Sequence, residues 1–214
     1  MENSQLRSEA MSAKVLVMLN AIRELADRPD REFAIIAASM IEDLLVDVLK
    51  TKLAPLSGDR YKRLFQRAGA PLGTFSARAD LAHALGLIDD QILNDLDQIR
   101  KIRNAFAHNF SDLSFATGTT IATKEQSDIE KACNALQTLD LERYNHAGVN
   151  PNGVGRFEIY ETLVEYRPMF LDTEGRIIGQ LPAMGTADWS PYRARFSECI
   201  QLVWFILAGL ALSG

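Results

Sequence analysis

The sequence has few of the side chains that bind metals, with two cysteines and three histidines among 214 residues. Cys133 and Cys199 lie far apart and outside any CxxC pair, so neither a disulfide framework nor a zinc site is predicted. His83 lies among alanines and leucines, which is typical of a core or surface histidine, and His146 has no ligand-like neighbours. We therefore expect a protein with neither a bound metal nor a cofactor.

Positive charge and long apolar runs are also scarce. The net charge is -5 and the pI is about 5.3, whereas a dedicated DNA-binding domain usually has a basic footprint. The N-terminus carries Glu2 and Glu9 and lacks an apolar leader. The apolar stretch 202–212 is shorter than the roughly 20 residues that span a bilayer. We expect a cytoplasmic protein without membrane contact.

The hydrophobic content of 47% is high enough for a sizeable core, and its periodicity is mainly helical. Residues 33–49 are apolar nearly all round, which is typical of a central bundle helix, and Asp30 is a plausible N-cap. A basic patch follows at 60–67. The predicted fold class is all-α, an antiparallel helical bundle over residues 1–144. A C-terminal extension, 145–214, is expected to hold a small β-hairpin and an apolar helix packed on the bundle.

Residues 75–96 have the helix–glycine–helix rhythm of a DNA-reading motif, with Ser76 opening the first helix and Gly86 closing it. No lysine or arginine occurs between Arg78 and Arg100, whereas aspartates are frequent there. The second helix starts with two of them, where a recognition helix would meet phosphate oxygens. The sequence therefore predicts an αα-hairpin that does not read DNA directly.

The segment "IRKIRNAFAHNFSDLSF", residues 99–115, concentrates polar groups on a predicted helix. Arg100, Asn104 and His108 are spaced so that they form one strip, with Asp97 beside it. Arg103 lies at the margin between this strip and the apolar face.

Two interpretations of this strip remain open. In the catalytic one, His108 moves a proton during metal-independent RNA cleavage, Arg103 stabilises charge on the phosphate, and Asn104 orients the attacked group. In the structural one, Asn104 and His108 hydrogen-bond across helices, and Arg103 pairs with Glu42 or Asp43 because an unpaired buried charge is costly.

Three blocks occur in the order "AIIAASMIEDLLVDVLK", "APLGTFSARADLAHALGLI" and "DLDQIRKIRNAFAHNFSDLSF". Over about residues 30–125 they resemble the mannitol operon repressor family. The resemblance implies an all-α bundle and a negative regulator of carbohydrate operon expression that lacks a recognisable DNA-reading element. Repression would then pass through a protein partner, such as the phosphocarrier protein of the sugar phosphotransferase system or a transcription factor.

The shorter segment "RNAFAH" is similar to the R-x(4–6)-H motif of the HEPN superfamily, whose active members are ribonucleases in toxin or defence systems. That resemblance implies a HEPN-like helical fold and a homodimer in which two motifs meet. It maps the catalytic pair onto Arg103 and His108, with Asn104 at the polar position after the arginine. Many proteins with this scaffold lack the activity, so we expect a regulator, with a ribonuclease as the alternative.

Overall fold

A computed structural model describes most of the chain between residues 13 and 212. In the strands it describes the backbone alone. The described residues are 13–14, 17–18, 20–22, 24–25, 27–109, 112–116, 123–136, 156–162, 165–171, 177–180 and 191–212.

The described helices form a bundle, which confirms the all-α prediction. Those between 13 and 25 are helical and bury Met18, Ile22 and Leu25. The further helices are α1 (Asp30–Lys50), α2 (Gly58–Phe65), α3 (Phe75–Ala84), α4 (Asp90–His108), α5 (Lys124–Ala135) and α6 (Pro191–Leu212).

Local signals set several helix ends, although not always at the residue that the sequence suggests. Thr74, not Ser76, caps α3 by accepting a hydrogen bond from the Ala77 amide at 3.2 Å. Gly86 ends the turn after α3 with φ +67°, where a side chain would be strained. Asp30 is the first residue of α1 and not its cap, since Pro29 holds that position. The Asp30 carboxylate is thus left for tertiary contacts.

The core is built around α1, which packs against α3, α4 and α6. Ten of its residues are buried, as expected of a helix that is apolar nearly all round. At one end of the bundle four fully buried rings come together, with Phe115 stacked on Phe196 at 5.3 Å and tilted against Phe106 at 4.9 Å. Phe33 meets Phe196 edge-on at 5.9 Å. These contacts join α1, α4, the 112–116 segment and α6.

The apolar C-terminal helix belongs to this core. Residues Tyr192–Leu212 form the one helix among the described residues that is long and apolar enough to cross a membrane, and 67% of its apolar 18-residue stretch is buried inside the protein. The helix is longer than its apolar stretch 202–212, so length alone does not argue against a membrane span. Its packing against α1, α4 and α5 is that of a core helix.

Strands occur within 156–180, the segment for which the sequence predicts a hairpin. They are β1 (Arg156–Thr162), β2 (Glu165–Leu171) and β3 (Ile177–Gln180), in the order β1-β2-β3. Both pairings are antiparallel, with Phe157 opposite Phe170 and an irregularity between Phe170 and Leu171. The D-T-E-G residues 172–175 lie outside the described residues.

Candidate functional site

The apolar face of α4 fixes where its polar residues lie. Ile99, Ile102 and Phe106 are fully buried and hold the helix against α1. Arg103 and Asn104 follow Ile102 directly, so they flank the packed face and are half-buried. The spacing of the apolar residues therefore places Arg103 where its side chain reaches α1.

Arg103 forms an ion pair with α1, which is expected under either interpretation of the strip because an unpaired buried charge is costly. Its Nη2 donates to Glu42 Oε2 at 2.9 Å, and its Nη1 donates to Asn104 Oδ1 at 3.1 Å. Of the two acids proposed as partners, Glu42 is the one used, while Asp43 is exposed. The predicted pairing of Arg103 is thus confirmed.

A second arginine, Arg78 from α3, joins the same carboxylate, and the sequence analysis did not identify it. Its Nη1 donates to Glu42 Oε1 at 3.1 Å and its Nε donates to the Leu72 carbonyl at 2.8 Å. Its Nη2 donates to the Phe65 carbonyl at 3.4 Å. One feature of the sequence could have pointed to Arg78: no other lysine or arginine occurs between it and Arg100, in a stretch rich in aspartate.

Together, Glu42, Arg78, Arg103 and Asn104 form what we call the Glu42 cluster. Side-chain exposure is 11% for Arg78, 16% for Glu42 and 29% for Arg103. The cluster joins three helices and carries two positive charges against one negative, with its solvent contact mainly at Arg103. Chemically, it can stabilise an anion that approaches Arg103 from outside.

His108 lies apart from this cluster, exposed on the last residue of α4. His108 comes five residues after Arg103 on the helix, which corresponds to a rotation of about 140° and a rise of about 7.5 Å. The helix thus brings Arg103 and Asn104 together and leaves His108 in solvent. Arg100, the first member of the predicted strip, pairs locally with Asp97 at 3.1 Å.

The remaining histidines do not add to the site. His83 Nε2 lies 2.8 Å from Asp90 Oδ1, across the turn between α3 and α4. His146 lies outside the described residues. Within the described ranges, no group of three or more His, Cys, Asp or Glu side chains is placed to hold a metal ion.

A second ion pair joins the start of α1 to α6, and sequence reasoning missed it. Asp30 Oδ1 accepts from Arg193 Nη1 at 2.7 Å, and Asp30 Oδ2 accepts from the Phe115 amide at 2.7 Å. Arg193 also donates to the Arg28 carbonyl at 2.8 Å and lies 4.7 Å over the Phe33 ring. The side chains of Arg193 and Asp30 are 11% and 19% exposed, so this pair links α1 to α6 largely away from solvent.

The two thiols are unsuited to nucleophilic chemistry. Burial raises the pKa of Cys133 to about 12 and that of Cys199 well above its ordinary value. Because the thiolate is the reactive form, buried thiols of this kind are inert near neutral pH. Burial, partly offset by Arg195, raises the pKa of nearby Glu198 to about 7.

Comparisons of the chain with protein-family models, with curated proteins and with solved structures found no match. The functional interpretation therefore depends on the residues themselves and on the resemblances of the three sequence blocks.

Proposed function

We propose that this chain is a negative regulator of carbohydrate operon expression, similar to the mannitol operon repressors, that acts through protein contacts and not by reading DNA. The observation that carries the proposal is the acidic start of α4. In a helix-turn-helix protein, this end of the second helix would enter the major groove beside the phosphates.

The geometry at this end of α4 opposes phosphate binding. Asp89 caps the helix by accepting from the Ile92 amide at 2.9 Å, which occupies a backbone donor that could otherwise meet an anion. The Asp90 side chain is 96% exposed and places a carboxylate at the tip. Ile92 and Leu96 are buried in the bundle. Such a helix end repels the DNA backbone, and its packed side is not available to enter the major groove.

Transcription and DNA binding can be tested separately. We expect production of the chain in a bacterial reporter strain to lower transcription from a mannitol-type operon. The purified protein should give no sequence-specific shift of the promoter fragment, measured against an equal length of random DNA at low and physiological salt. Tight binding that prefers the promoter would contradict a mechanism through protein contacts.

The proposal includes a protein partner, such as a phosphotransferase-system phosphocarrier or a transcription factor, and a homodimer in the cytoplasm. The resemblances motivate these assignments. Analytical ultracentrifugation of the purified chain measures the oligomeric state, and a monomer at micromolar concentration would contradict the dimer.

A HEPN-type ribonuclease is a second candidate because Arg103 and His108 both retain contact with solvent at one end of α4. In that function His108 would transfer the proton and Arg103 would stabilise the phosphate charge, with Asn104 orienting the reacting group. Arg103 would have to contact the phosphate while still paired with Glu42, or leave Glu42 to do so.

RNA cleavage distinguishes the two candidates. Purified protein is incubated with RNA in the presence of a chelator, beside His108→Ala. The regulator proposal predicts intact RNA with both proteins. Cleavage by the parent that His108→Ala abolishes would make the chain an enzyme and the α4 strip its active site.

A further inference from the structure

The segment from the end of α1 through α2 has a charge opposite to that of the whole protein. Residues 50–67 contain one acid, Asp59, and six cationic residues, giving +5 against -5 for the chain. All six are exposed: Lys50, Lys52, Arg60, Lys62, Arg63 and Arg67. This segment, which we call the basic segment, therefore presents concentrated positive charge on an acidic protein.

Only part of this charge is neutralised locally. Asp59 pairs with Arg63 at 2.9 Å and with Arg67 at 2.5 Å, and Lys50 pairs with Asp47 of α1 at 3.1 Å. Lys52, Arg60 and Lys62 have no ion pair to any described residue. Three cations thus remain available to an external anion.

An apolar groove lies within the same segment, between the end of α1 and the start of α2. Its volume is about 490 Å³, which is in the range of ligand pockets. The side chains that line it are apolar apart from one lysine and the tyrosine hydroxyl: Lys50, Leu53, Ala54, Pro55, Leu56, Gly58 and Tyr61. The groove therefore combines an apolar floor with a cationic margin.

The aromatic residue of the groove already has a neighbour over its ring. Tyr61 stacks on Phe65 with centroids 5.1 Å apart, and Lys50 Nζ lies 5.2 Å from the Tyr61 centroid. Binding of single-stranded nucleic acid relies on aromatic faces that bases can stack on. These contacts favour an occupant that carries apolar and anionic groups and does not need an aromatic ring to stack on.

We infer that this groove binds an acidic segment of a partner protein, seating one of its apolar side chains on Leu53 and Leu56 with carboxylates over the surrounding cations. An apolar anchor ringed by complementary charge is how protein interfaces combine affinity with orientation. This inference rests on the proposed function, because it specifies where a regulator that acts through protein contacts meets its partner.

The probe is a fluorescent glutamate-rich peptide with a central Leu-Phe pair, titrated with the full chain. Its matched control replaces the Leu-Phe pair with two serines, and poly(U) RNA serves as the nucleic-acid competitor. We expect the Leu-Phe peptide to bind at least about tenfold more tightly than the serine peptide. Its affinity should fall with added salt, since charge contributes to the contact.

Two kinds of variant separate the groove from the charge. Gly58 lines the groove, and a Cβ there would meet no atom within 4 Å, so Gly58→Leu adds a side chain at the groove from an open position. We expect it to weaken the Leu-Phe peptide about tenfold and to leave the weak binding of the serine peptide unchanged. The pair Arg60→Glu and Lys62→Glu should weaken both peptides, whereas Lys101→Glu with Lys124→Glu, the same charge change on other exposed lysines, should weaken neither.

Each result decides the inference. Equal binding of the two peptides, unaltered binding by Gly58→Leu, or no peptide binding would overturn it. Binding of poly(U) RNA in preference to the peptide, lost in the Arg60→Glu and Lys62→Glu variant, would overturn it in favour of a nucleic-acid surface. These outcomes leave regulation through another surface intact, whereas promoter-specific DNA binding contradicts the proposed function whatever the peptide does.

Discussion

Arginine has two different roles in this protein, one inside the bundle and one on the basic segment. Inside, Arg78, Arg103 and Arg193 bind groups from segments distant in sequence. On the basic segment, the arginines of 60–67 are exposed and pair at most with Asp59 nearby. Arginines whose side chains are largely buried thus form joints between helices, whereas the exposed arginines of the basic segment stay in contact with water.

The physical difference is desolvation. A charge removed from water needs a partner in good geometry. Deleting one partner of a buried pair leaves the other as an uncompensated charge. A pair in water is screened and contributes little. The following substitutions test this contrast, from the largest expected effect to the smallest.

Glu42→Gln should cause the largest loss of stability. Glu42 accepts hydrogen bonds from both Arg78 and Arg103, so the substitution leaves two cations sharing a neutral amide. We expect the free energy of unfolding to fall by about 3 kcal/mol, as for a broken buried pair. Urea unfolding monitored by circular dichroism measures this change.

The neighbouring acid provides the control for Glu42. Asp43→Asn removes the same charge from an exposed position one residue along α1 and should change stability by less than about 0.5 kcal/mol. Equal effects of the two substitutions would show that the Glu42 cluster does not hold the bundle together.

Arg193→Lys tests whether geometry as well as charge matters at the second joint. The Arg193 guanidinium reaches Asp30 and the Arg28 carbonyl together and covers the Phe33 ring, which an ammonium group cannot reproduce. We expect a loss of about 2 kcal/mol in the same unfolding measurement. Arg28→Lys is the control, because Arg28 is exposed and its side chain pairs only loosely with Glu32 at 3.6 Å. A loss as small as that of the control would show that the planar guanidinium of Arg193 is not needed at this joint.

Glu198 sharpens the comparison because burial, only partly offset by Arg195, raises its pKa to about 7 from an ordinary 4.5. The folded state therefore holds this proton more tightly than the unfolded state. The stability linked to the group is fully present below pH 4.5 and is lost as the pH rises through 7. Glu198→Gln removes that loss.

We expect Glu198→Gln and the parent to be equally stable near pH 4, and the variant to be more stable by about 2 kcal/mol near pH 8. The figure is below the full shift because the side chain keeps some solvent contact. Urea unfolding at several pH values checks this, with exposed Asp128→Asn as the control. A difference that is constant across pH would contradict titration of Glu198 in this range.

Arg63→Ala should have the smallest effect on stability. Its side chain is 65% exposed and pairs with an exposed Asp59, so water replaces the lost contact. We expect a change within about 0.5 kcal/mol, measured by urea unfolding beside Glu42→Gln. A loss comparable to that of Glu42→Gln would show that α2 is held by its charges and would remove the distinction between the two sets of arginines.

Much of the bundle could be predicted from the sequence because helical periodicity is a local property. The helical period predicts an apolar stripe over 92–110, made of Ile92, Leu96, Ile99, Ile102, Phe106 and Phe110. The first five are buried in α4, and Phe110 lies outside the described residues. The apolar residues of 33–49 likewise form the central helix α1. Helix caps were less predictable, since Thr74 and Ser76 are both good capping residues and neighbouring backbone geometry selects between them.

The candidate site was only partly predictable. The polar residues Arg103, Asn104 and His108 follow from the sequence. The cost of burying a charge pointed to Glu42 or Asp43 as the partner of Arg103, and the structure selects Glu42. Nothing local identified Arg78 as the second ligand of that carboxylate, since its contacts with Glu42 span 36 residues of sequence. The Asp30–Arg193 pair spans 163 residues and is equally invisible to local patterns.

The sequence by itself determined the helices, the acidic start of α4 and the basic segment, because each depends on neighbouring residues. Only the tertiary structure decided which charges became joints, which remained in solvent, and that α6 packs on α1. The reason is that burial is a property of the assembled core. Arg78 and Arg63 have the same side-chain chemistry. They differ in how far packing buries them, and that difference determines their roles.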